Sequence, residues 1–301
     1  MNSFSFAEKA IVFVWVVGLT ALTAAVARAG EDDGGEGMAE FETVVEGEGV
    51  AGSDLPSERA VTRVTRDDMD RRLPRSAPDA LRFEPGVFVQ QTAHGQGSAF
   101  IRGMTGQQTL LLFDGIRLNN STWRQGPNQY FFTLDAATIA SIEVMRGGGS
   151  TRWGSDALGG VVMSSPLEPF LWSGPGHRVV TAEPRLTVRT ATADQEAGAR
   201  LSTNLTVLRK LAFLGGVGAR RVGELRSGGP IRGVGTGEVP AVPRFAADGQ
   251  TQLGTGFNEF TADGVLRYRL SSRQELKLAA YTYRQTDAPR TDQCAAASAP
   301  W

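Results

Sequence analysis

The chain has 301 residues, of which 41% are hydrophobic and 21% charged, a length that suits one large domain or two ordinary ones. Its formal net charge of -1 argues against a globally basic nucleic-acid-binding protein. The single cysteine excludes an intrachain disulfide and a cysteine-rich metal site, and the two histidines leave little for histidine-based metal or acid–base chemistry.

Residues 1–29 have the features of an export signal. Lys9 precedes an apolar run from Ala10 to Ala27, and Ala27-Arg28-Ala29 is a small-x-small cleavage pattern. A transmembrane anchor is the alternative, since an apolar run of this length could nearly span a bilayer. The residues that follow are acidic rather than basic, which favours a cleaved signal peptide and an exported protein.

Residues 30–60 form an acidic, glycine-rich leader. Such a composition cannot bury enough apolar surface to fold, so the leader should be disordered in isolation. One β-prone island interrupts it, with the core Glu42, Thr43, Val44, Val45 and Glu46. The island is either a chance match or a peptide that adds a strand to the sheet edge of a partner.

Residues 61–165 show the short helices and strands of a compact α+β domain. Thr65 can cap a helix that runs to Leu73, and Ser76 can cap a second short helix from Pro78 to Phe83. The predicted strands are Val87–Gln91, Ala99–Arg102, Thr109–Phe113, Ile116–Leu118, Ile139–Met145 and Gly160–Met163. Asp114-Gly115 predicts a type I′ hairpin turn, which needs a positive φ at both residues.

From about residue 178 onward, apolar and polar residues alternate over long runs. In one run Ala199, Leu201 and Leu205 alternate with polar residues, and the stretch from Phe260 to Leu270 follows the same pattern. A soluble antiparallel sheet with one buried face produces this alternation. A transmembrane β-barrel, with lipid outside and a wet lumen inside, produces it as well. The alternation alone does not choose between them.

The motifs of residues 61–165 resemble the plug domain of TonB-dependent outer-membrane receptors. The strongest is Ile142-Glu143-Val144-Met145-Arg146-Gly147, which continues to Gly159-Gly160-Val161 with the family's spacing. Phe100-Ile101-Arg102-Gly103 and the segment around Asp114-Gly115 agree with it in order. Gly148 stands where the family usually has proline. The resemblance implies an α+β plug domain, a small mixed sheet with short helices, followed by antiparallel strands of an incomplete transmembrane β-barrel.

The same resemblance implies roles for individual residues. The island Glu42–Glu46 lies where the family carries its TonB box, the segment that binds TonB. Arg102, Glu143 and Arg146 match the charged lock between the plug and the barrel wall, although each could equally be an ordinary ion pair. Seven further residues are predicted to have a structural role, in tight turns or where loops approach closely, and not to contact a ligand. They are Gly103, Asp114, Gly115, Gly147, Gly154, Gly159 and Gly160.

The implied function is active uptake of a scarce nutrient across the outer membrane of a Gram-negative bacterium, with the leader in the periplasm. The implied partners are TonB, energised through ExbB and ExbD, and outer-membrane lipid. An iron chelate, such as a ferric siderophore or haem, is the first choice of substrate. The candidate substrate contacts are Trp123, Arg124, Gln129, Tyr130 and His94, of which the histidine could alternatively be a solvated loop residue.

Enzyme functions find no support in the sequence. The spacing Gly149-x4-Gly154-Ser155 lacks the lysine of a phosphate-binding loop. Neither Ser98 nor Ser150 lies in a Gly-x-Ser-x-Gly nucleophile elbow. We therefore expect no catalytic residue, resident metal or cofactor, and no nucleic-acid partner.

The length of the chain bears on the barrel. Residues 166–301 hold roughly five transmembrane strands, whereas a plug of this size needs a barrel of the 22-strand kind. We therefore expect the chain to be the front part of a longer receptor. The alternatives are a soluble, exported periplasmic binding module and a non-functional fragment of such a receptor.

Overall fold

A computed structural model describes residues 60–93, 95–119, 130–171, 180–208, 210–233, 237–238, 244–271 and 274–288. The predicted export signal, acidic leader and TonB-box island therefore lie outside the described residues. The same holds for four of the candidate substrate contacts, which are His94, Trp123, Arg124 and Gln129.

The N-terminal domain, residues 60–166, is built around a five-stranded mixed sheet. Its elements are β1 (Val61–Thr65), α1 (Arg66–Arg72), β2 (Val87–Ala93), β3 (Gln96–Ile101), β4 (Thr109–Phe113), β5 (Ile116–Arg117), β6 (Ile139–Arg146), α2 (Ser150–Trp153) and β7 (Gly160–Pro166). The order in the sheet is β1-β6-β7-β4-β5, and only the β4–β7 pair is parallel. Strands β2 and β3 form a separate hairpin.

The two faces of this sheet bury two clusters of apolar side chains. Ile142 and Val144 of β6 face a larger cluster that takes in Met69 of α1 and Leu81. Met145, on the opposite face of β6, packs in a smaller cluster with Leu110, Leu112 and Val161. Because β4, β6 and β7 are covered on both faces, apolar residues occupy consecutive positions in them, as in Leu110–Phe113 of β4 and Val161–Met163 of β7, instead of strictly alternating with polar ones.

Helix α1 begins at the residue that the sequence predicts. The Thr65 hydroxyl accepts a hydrogen bond from the Asp68 backbone N–H at 3.2 Å, and the Asp68 carboxylate accepts one from the Thr65 N–H at 3.0 Å, which completes a capping box. The hydrogen bonds from the Thr65 side chain and backbone lower the pKa of Asp68 from 3.8 to about 2. The helix ends at Leu73, which takes a left-handed conformation.

The substitution Asp68→Asn should therefore cost stability in a pH-dependent way. Because the pKa of Asp68 is lower in the folded state, its ionised form stabilises the fold above the ordinary pKa, and this contribution is lost as the pH falls through about 2. We expect a loss of about 1 kcal/mol in the free energy of unfolding at neutral pH. Urea unfolding over a pH series measures it. Asp67→Asn, in the same helical turn, is the matched control, and an equal loss in both variants would contradict the capping account.

The second predicted helix is wrong in length and in its cap. Residues Asp79–Leu81 form a single 3-10 turn that follows Pro78, without a side-chain cap. The Asp79 carboxylate accepts the Arg75 backbone N–H at 3.0 Å and the Arg82 Nε–H at 2.7 Å, while Ser76 takes part only through its carbonyl oxygen, which accepts the Ala80 N–H at 3.3 Å. A positive φ at Gly86 then directs the chain into β2.

The second part of the chain is an antiparallel sheet of long strands, which we call the strand wall. Its strands are β8 (Val180–Ala191), β9 (Glu196–Val207), β10 (Leu211–Val222), β13 (Phe257–Arg269) and β14 (Glu275–Thr286). They are paired in the order β14-β13-β10-β9-β8 without closing on themselves. Two short strands, β11 (Leu225–Arg226) and β12 (Thr251–Gln252), form a ribbon in the long connection from β10 to β13.

The alternation predicted from the sequence maps onto the two faces of the strand wall. Leu186 on β8, Phe260 on β13 and Leu278 on β14 point away from the N-terminal domain and are exposed. Arg200 on β9 and Arg220 on β10 point towards the N-terminal domain and contact it. The wall is thus apolar on its outer face and charged on its inner face.

Within the described residues, no helix is long and apolar enough to cross a membrane.

Candidate functional site at the domain interface

The N-terminal domain is joined to the strand wall mainly through ion pairs and hydrogen bonds. The wall residues that contact the N-terminal domain are Arg185, Arg189, Asp194, Arg200, Arg220, Lys277 and Gln285. Three more, Asn204, Thr206 and Arg267, contact the connecting segment 168–170. Aromatic contacts add to them, because the Phe113 and Tyr281 rings meet edge to face with centroids 5.0 Å apart. The interface is therefore polar and charged, unlike the apolar cores on either side of the N-terminal sheet.

Arg200 is the first centre of this interface. Its Nη1 donates to the Asp135 carboxylate of the N-terminal domain at 3.0 Å, and its Nη2 donates to Asp263 on β13. The side chains of all three are less than one-fifth exposed. A guanidinium between two carboxylates is a strong, charge-assisted arrangement, because its planar fork can serve both partners.

Glycines on β10 allow Arg200 to reach two strands away. The Arg200 side chain crosses β10 above Gly216 and Gly218 before it reaches Asp263 on β13. A Cβ at Gly216 would lie 2.8 Å from Arg200 Nη2 and 2.9 Å from the Leu201 carbonyl oxygen. The close approach of the guanidinium to the sheet thus requires glycine at this position.

Asp135 has a separate role inside the N-terminal domain. Its Oδ1 accepts the Ala137 backbone N–H at 2.8 Å and caps the 3-10 turn Ala136–Thr138, while its Oδ2 accepts from Arg200. If the two domains separate, Asp135 keeps its capping bond and Arg200 keeps Asp263. Separation here therefore breaks one ion pair without leaving either charge unpartnered.

Arg220 is the second centre. It pairs with Glu259 at 2.7 Å and with Glu196 at 3.2 Å, and its Nη2 donates to the Arg75 carbonyl oxygen at 3.0 Å. Arg189 donates to the neighbouring carbonyl oxygens of Leu73 and Pro74 at 2.8 and 2.9 Å. The turn after α1 is thus held through its backbone, which makes this contact insensitive to side-chain identity in the turn.

A third group of contacts involves the β4–β5 turn. Lys277 on β14 pairs with Asp114 and with Glu168, each at 2.9 Å, and Arg267 pairs with Glu168 at 3.0 Å. Asp114 and Gly115 have φ values of 51° and 74°, the positive values that a type I′ turn needs. The turn therefore presents the Asp114 carboxylate directly to the wall.

The predicted lock residues contact their own domain in this structure. Glu143 is buried, with Arg63 Nε 3.7 Å from its carboxylate. Arg146 donates to the carbonyl oxygens of Pro85 and Ala60 and to the Thr62 hydroxyl. Arg102 is exposed, with a φ of 52°. Burial lowers the pKa of Arg146; Glu84 opposes this shift and Arg102 adds to it. Their role against a barrel wall remains a prediction.

The sequence predicts that certain glycines allow tight turns or close approach of the backbone. In the structure they occupy two kinds of site. A positive φ occurs at Gly103, Gly147 and Gly154. Gly159 and Gly160 are instead sites of close approach, since a Cβ at Gly160 would overlap the Met145 carbonyl oxygen.

Of the candidate substrate contacts, Tyr130 is the one described. It has a φ of 58°, is 45% exposed and lies with its ring centroid 6.0 Å from that of Phe132. Phe132 in turn meets Tyr283 of the wall edge to face at 6.5 Å. Tyr130 is therefore linked through Phe132 to the inner face of β14.

One cavity lies at the interface, and a second is lined by residues of the strand wall and its connections. The first, of about 370 Å³, lies between the N-terminal domain and strands β8 to β10, with Met69, Leu134, Gly198 and Gly218 in its lining. The other, of about 800 Å³, opens at the end of the wall that carries the long β10–β13 connection. No group of three or more His, Cys, Asp or Glu side chains among the described residues is arranged to hold a metal ion.

Comparison with known proteins assigns the N-terminal domain. Residues 54–161 match the family model of the TonB-dependent receptor plug domain. In the structure this matched segment is followed by antiparallel strands that do not close into a barrel. This agrees with the resemblance found in the sequence.

Solved structures support the same fold. The siderophore receptor PirA from Acinetobacter baumannii is 21% identical with a TM-score of 0.53, and the match covers 76% of this chain and 32% of that one. A mutant of the ferric enterobactin receptor PfeA from Pseudomonas aeruginosa, in complex with enterobactin, is 23% identical with a TM-score of 0.52, covering 75% and 33%. The copper transporter OprC is 15% identical with a TM-score of 0.52, covering 75% and 30%.

These likenesses establish the fold alone. The chain spans about one third of the length of the solved receptors it matches. The wall residues Arg200 and Arg220 were not among the site residues predicted from the sequence. A feature of the sequence pattern could have identified them. Each is an arginine on the polar side of an alternating strand, and in the sheet each lies opposite a glycine of the neighbouring strand.

Proposed function

We propose that this chain belongs to an energised outer-membrane transporter that takes up a scarce metal chelate, in which the plug domain gates a barrel. The observation that carries the proposal is a plug domain held by ion pairs on the charged face of a strand wall whose opposite face is apolar. An apolar outer face suits lipid, and a polar inner interface suits a plug that must move.

The proposed mechanism uses force from outside the membrane, because the outer membrane has no nucleotide energy source. Substrate binds at the outer side of plug and barrel, where Trp123, Arg124, Gln129, Tyr130 and His94 are the candidate contacts. The island Glu42–Glu46 then pairs as a strand with TonB, which ExbB and ExbD energise. Pulling on the leader releases plug contacts, and the substrate passes into the periplasm.

Arg200 and Arg220 join the predicted lock in this proposal. The Arg200–Asp135 pair can separate while both groups keep a second partner. Arg220 holds the plug only through a backbone carbonyl oxygen, while its two carboxylate partners belong to the wall. Both sites therefore favour reversible release over permanent attachment.

Uptake through a receptor that carries this chain tests the proposal. The variant Val44→Pro removes a backbone N–H donor from the predicted TonB box and should abolish strand pairing. We expect uptake of a radiolabelled ferric siderophore to fall to the level of cells without TonB, while binding to whole cells is unchanged. Val50→Pro, in the same leader, is the control. Uptake that persists in Val44→Pro or without TonB would contradict the proposal.

The alternative is a soluble, exported binding module or a non-functional fragment of a receptor. Fractionation separates the first alternative, since a soluble module stays in the periplasmic fraction and a barrel sediments with the outer membrane. Substrate class is a second question, because one structural match is a copper transporter. Parallel uptake of labelled copper and ferric siderophore decides between the two metals.

A further inference from the structure

Six polar side chains form a continuous series of ion pairs and hydrogen bonds across the inner face of the strand wall. Every strand of the wall contributes at least one of them, from β8 at one edge to β14 at the other. We call this series the polar belt, and it consists of Arg189, Glu196, Arg220, Glu259, Tyr283 and Gln285. The belt crosses the gaps between all five strands, a distance of about 19 Å.

In the half of the belt nearer β8, two arginines share one buried carboxylate. Arg189 Nε and Arg220 Nη1 both pair with Glu196 Oε1, at 2.7 and 3.2 Å, and the Glu196 side chain is fully buried. The register places Gly198 between the two arginines. A Cβ at Gly198 would lie 3.0 Å from Arg220 Cβ, so the glycine leaves room for both side chains to converge. The two cations are therefore positioned by the same anion.

In the half nearer β14, the Tyr283 hydroxyl joins a neutral amide to the charged centre. Glu259 Oε2 accepts from Arg220 Nη2 at 2.7 Å and from the Tyr283 hydroxyl at 2.8 Å. The Tyr283 oxygen in turn accepts from Gln285 Nε2 at 2.7 Å. Because a phenol has one proton, and Tyr283 donates it to Glu259, the hydroxyl is a donor on one side and an acceptor on the other. Its loss would interrupt the belt at this point.

The two ends of the belt hold different segments of the N-terminal domain. At the β14 end, Gln285 Nε2 donates to the carbonyl oxygen of Gly95, which lies between β2 and β3, at 3.1 Å. At the β8 end, Arg189 donates to the carbonyl oxygens of Leu73 and Pro74, in the turn after α1. The belt thus connects the tip of the β2–β3 hairpin with the turn after α1 through the wall.

The geometry at Arg220 shows how a displacement at one end reaches the other. Arg220 Nη2 donates both to Glu259 Oε2 and to the Arg75 carbonyl oxygen. Because a guanidinium is planar, the direction of one N–H of this nitrogen sets the direction of the other. The Glu259 carboxylate, which Tyr283 holds on its other side, therefore directs Arg220 towards Arg75. Linked hydrogen bonds at a largely buried site also strengthen one another, so the loss of one weakens its neighbours.

We propose that Tyr283 is a positioning residue that couples the β2–β3 hairpin tip to the turn after α1, a proposal that rests on the plug gating in the proposed function. When the tip moves away from Gln285, the contact between Tyr283 and Glu259 relaxes, and the two arginines hold the turn less firmly. Helix α1 follows β1, the first strand of the domain. The belt thus makes the release of the start of the domain depend on the position of the hairpin.

Hydrogen–deuterium exchange of the complete 301-residue chain in neutral-detergent micelles tests the coupling. Tyr283→Phe removes only the hydroxyl. We expect the backbone amides of residues 71–77 and 95–98 each to exchange about threefold faster, because each segment loses part of its hold on the wall. Tyr281→Phe is the matched control, since Tyr281 lies on the same face of β14 and its hydroxyl has no hydrogen-bond partner among the described residues. This variant should leave both segments unchanged.

A double variant separates the belt from a direct route. The hairpin also approaches the turn within the N-terminal domain, where a Cβ at Gly97 would lie 3.6 Å from Pro78 Cβ. Arg189 and Tyr283 lie on the opposite edges of the wall, so as independent sites they would multiply their effects on exchange at residues 71–77. If the belt is intact only as a unit, Arg189→Gln with Tyr283→Phe should accelerate exchange there by less than the product of the two single effects.

Three outcomes would overturn the coupling. In the first, Tyr283→Phe accelerates exchange at residues 95–98 but leaves residues 71–77 unchanged. In the second, Tyr281→Phe has the same effect as Tyr283→Phe. In the third, exchange rises equally throughout the wall strands, which would show a general loss of structure. The assay needs neither TonB nor a transported substrate, so its failure and a failure of the uptake experiment are distinguishable.

Discussion

Replacing Arg200 by methionine should destabilise the chain more than any other single substitution at the domain interface. The change keeps most of the apolar stem but removes the cation between Asp135 and Asp263, whose carboxylates are each less than one-fifth exposed. Two largely buried carboxylates would then face each other without a counter-charge. We expect a loss of about 3 kcal/mol or more in the free energy of unfolding, measured by urea unfolding in detergent.

Arg185→Met is the matched control for this prediction. Arg185 is also an inward-facing wall arginine that meets a plug carboxylate, Asp70, but at 3.6 Å and with 65% of its side chain exposed. Its loss should change stability by at most about 1 kcal/mol. Similar effects in the two variants would show that the buried position of Arg200 does not matter. The double variant Arg200→Met with Asp263→Asn should recover part of the loss, because one of the stranded charges is gone.

The second large effect is expected for Gly160→Ala in the plug sheet. A Cβ there would overlap the Met145 carbonyl oxygen and lie 2.8 Å from Ile101 Cγ2, where neither neighbour can move freely. Gly160 pairs with Arg146 on β6 and with Thr109 on β4, so a shift disturbs two strand pairs. Overpacking of this kind costs about 2 kcal/mol. Thermal unfolding followed by circular dichroism measures it.

Gly148→Ala is the control from the same motif. A Cβ at Gly148 meets nothing within 4 Å. We expect a change within about 0.5 kcal/mol, or a small gain from the less flexible unfolded chain. If Gly148→Ala were as damaging as Gly160→Ala, the glycines of this segment would serve flexibility rather than close approach.

Local features of the fold were accessible from the sequence. The capped helix after Thr65 and the Asp114-Gly115 turn depend on neighbours within a few residues, so their physical causes are visible in the chain itself. The side on which each wall strand presents its apolar residues follows from a strict two-residue period. The predicted helix from Pro78 failed because the Asp79 carboxylate bonds the backbone on its own N-terminal side and closes a single turn.

The contacts between the N-terminal domain and the strand wall could not be predicted from the sequence in the same way. Arg200 and Asp135 are far apart in the chain and meet only through the packing of two separately specified sheets. The motif residues Glu143 and Arg146 are recognisable by their spacing, but the same spacing does not say whether their partners belong to the plug or to the wall. Alternation identifies which residues face inward, and only the strand register identifies the carboxylate that each inward arginine reaches.

The position of β1 at the edge of the plug sheet has a mechanical consequence. A tension applied to the chain before Val61 would act first on Ala60 and Thr62. Arg146 holds the Ala60 carbonyl oxygen through its backbone N–H and its guanidinium, and it donates a third hydrogen bond to the Thr62 hydroxyl. Beyond this clamp, β1 is paired only with β6. A force directed away from the sheet would break the β1–β6 pairs in succession, from Val61–Met145 to Thr65–Ser141. The resistance would be greatest at the start and would fall once the hydrogen bonds of Arg146 are broken.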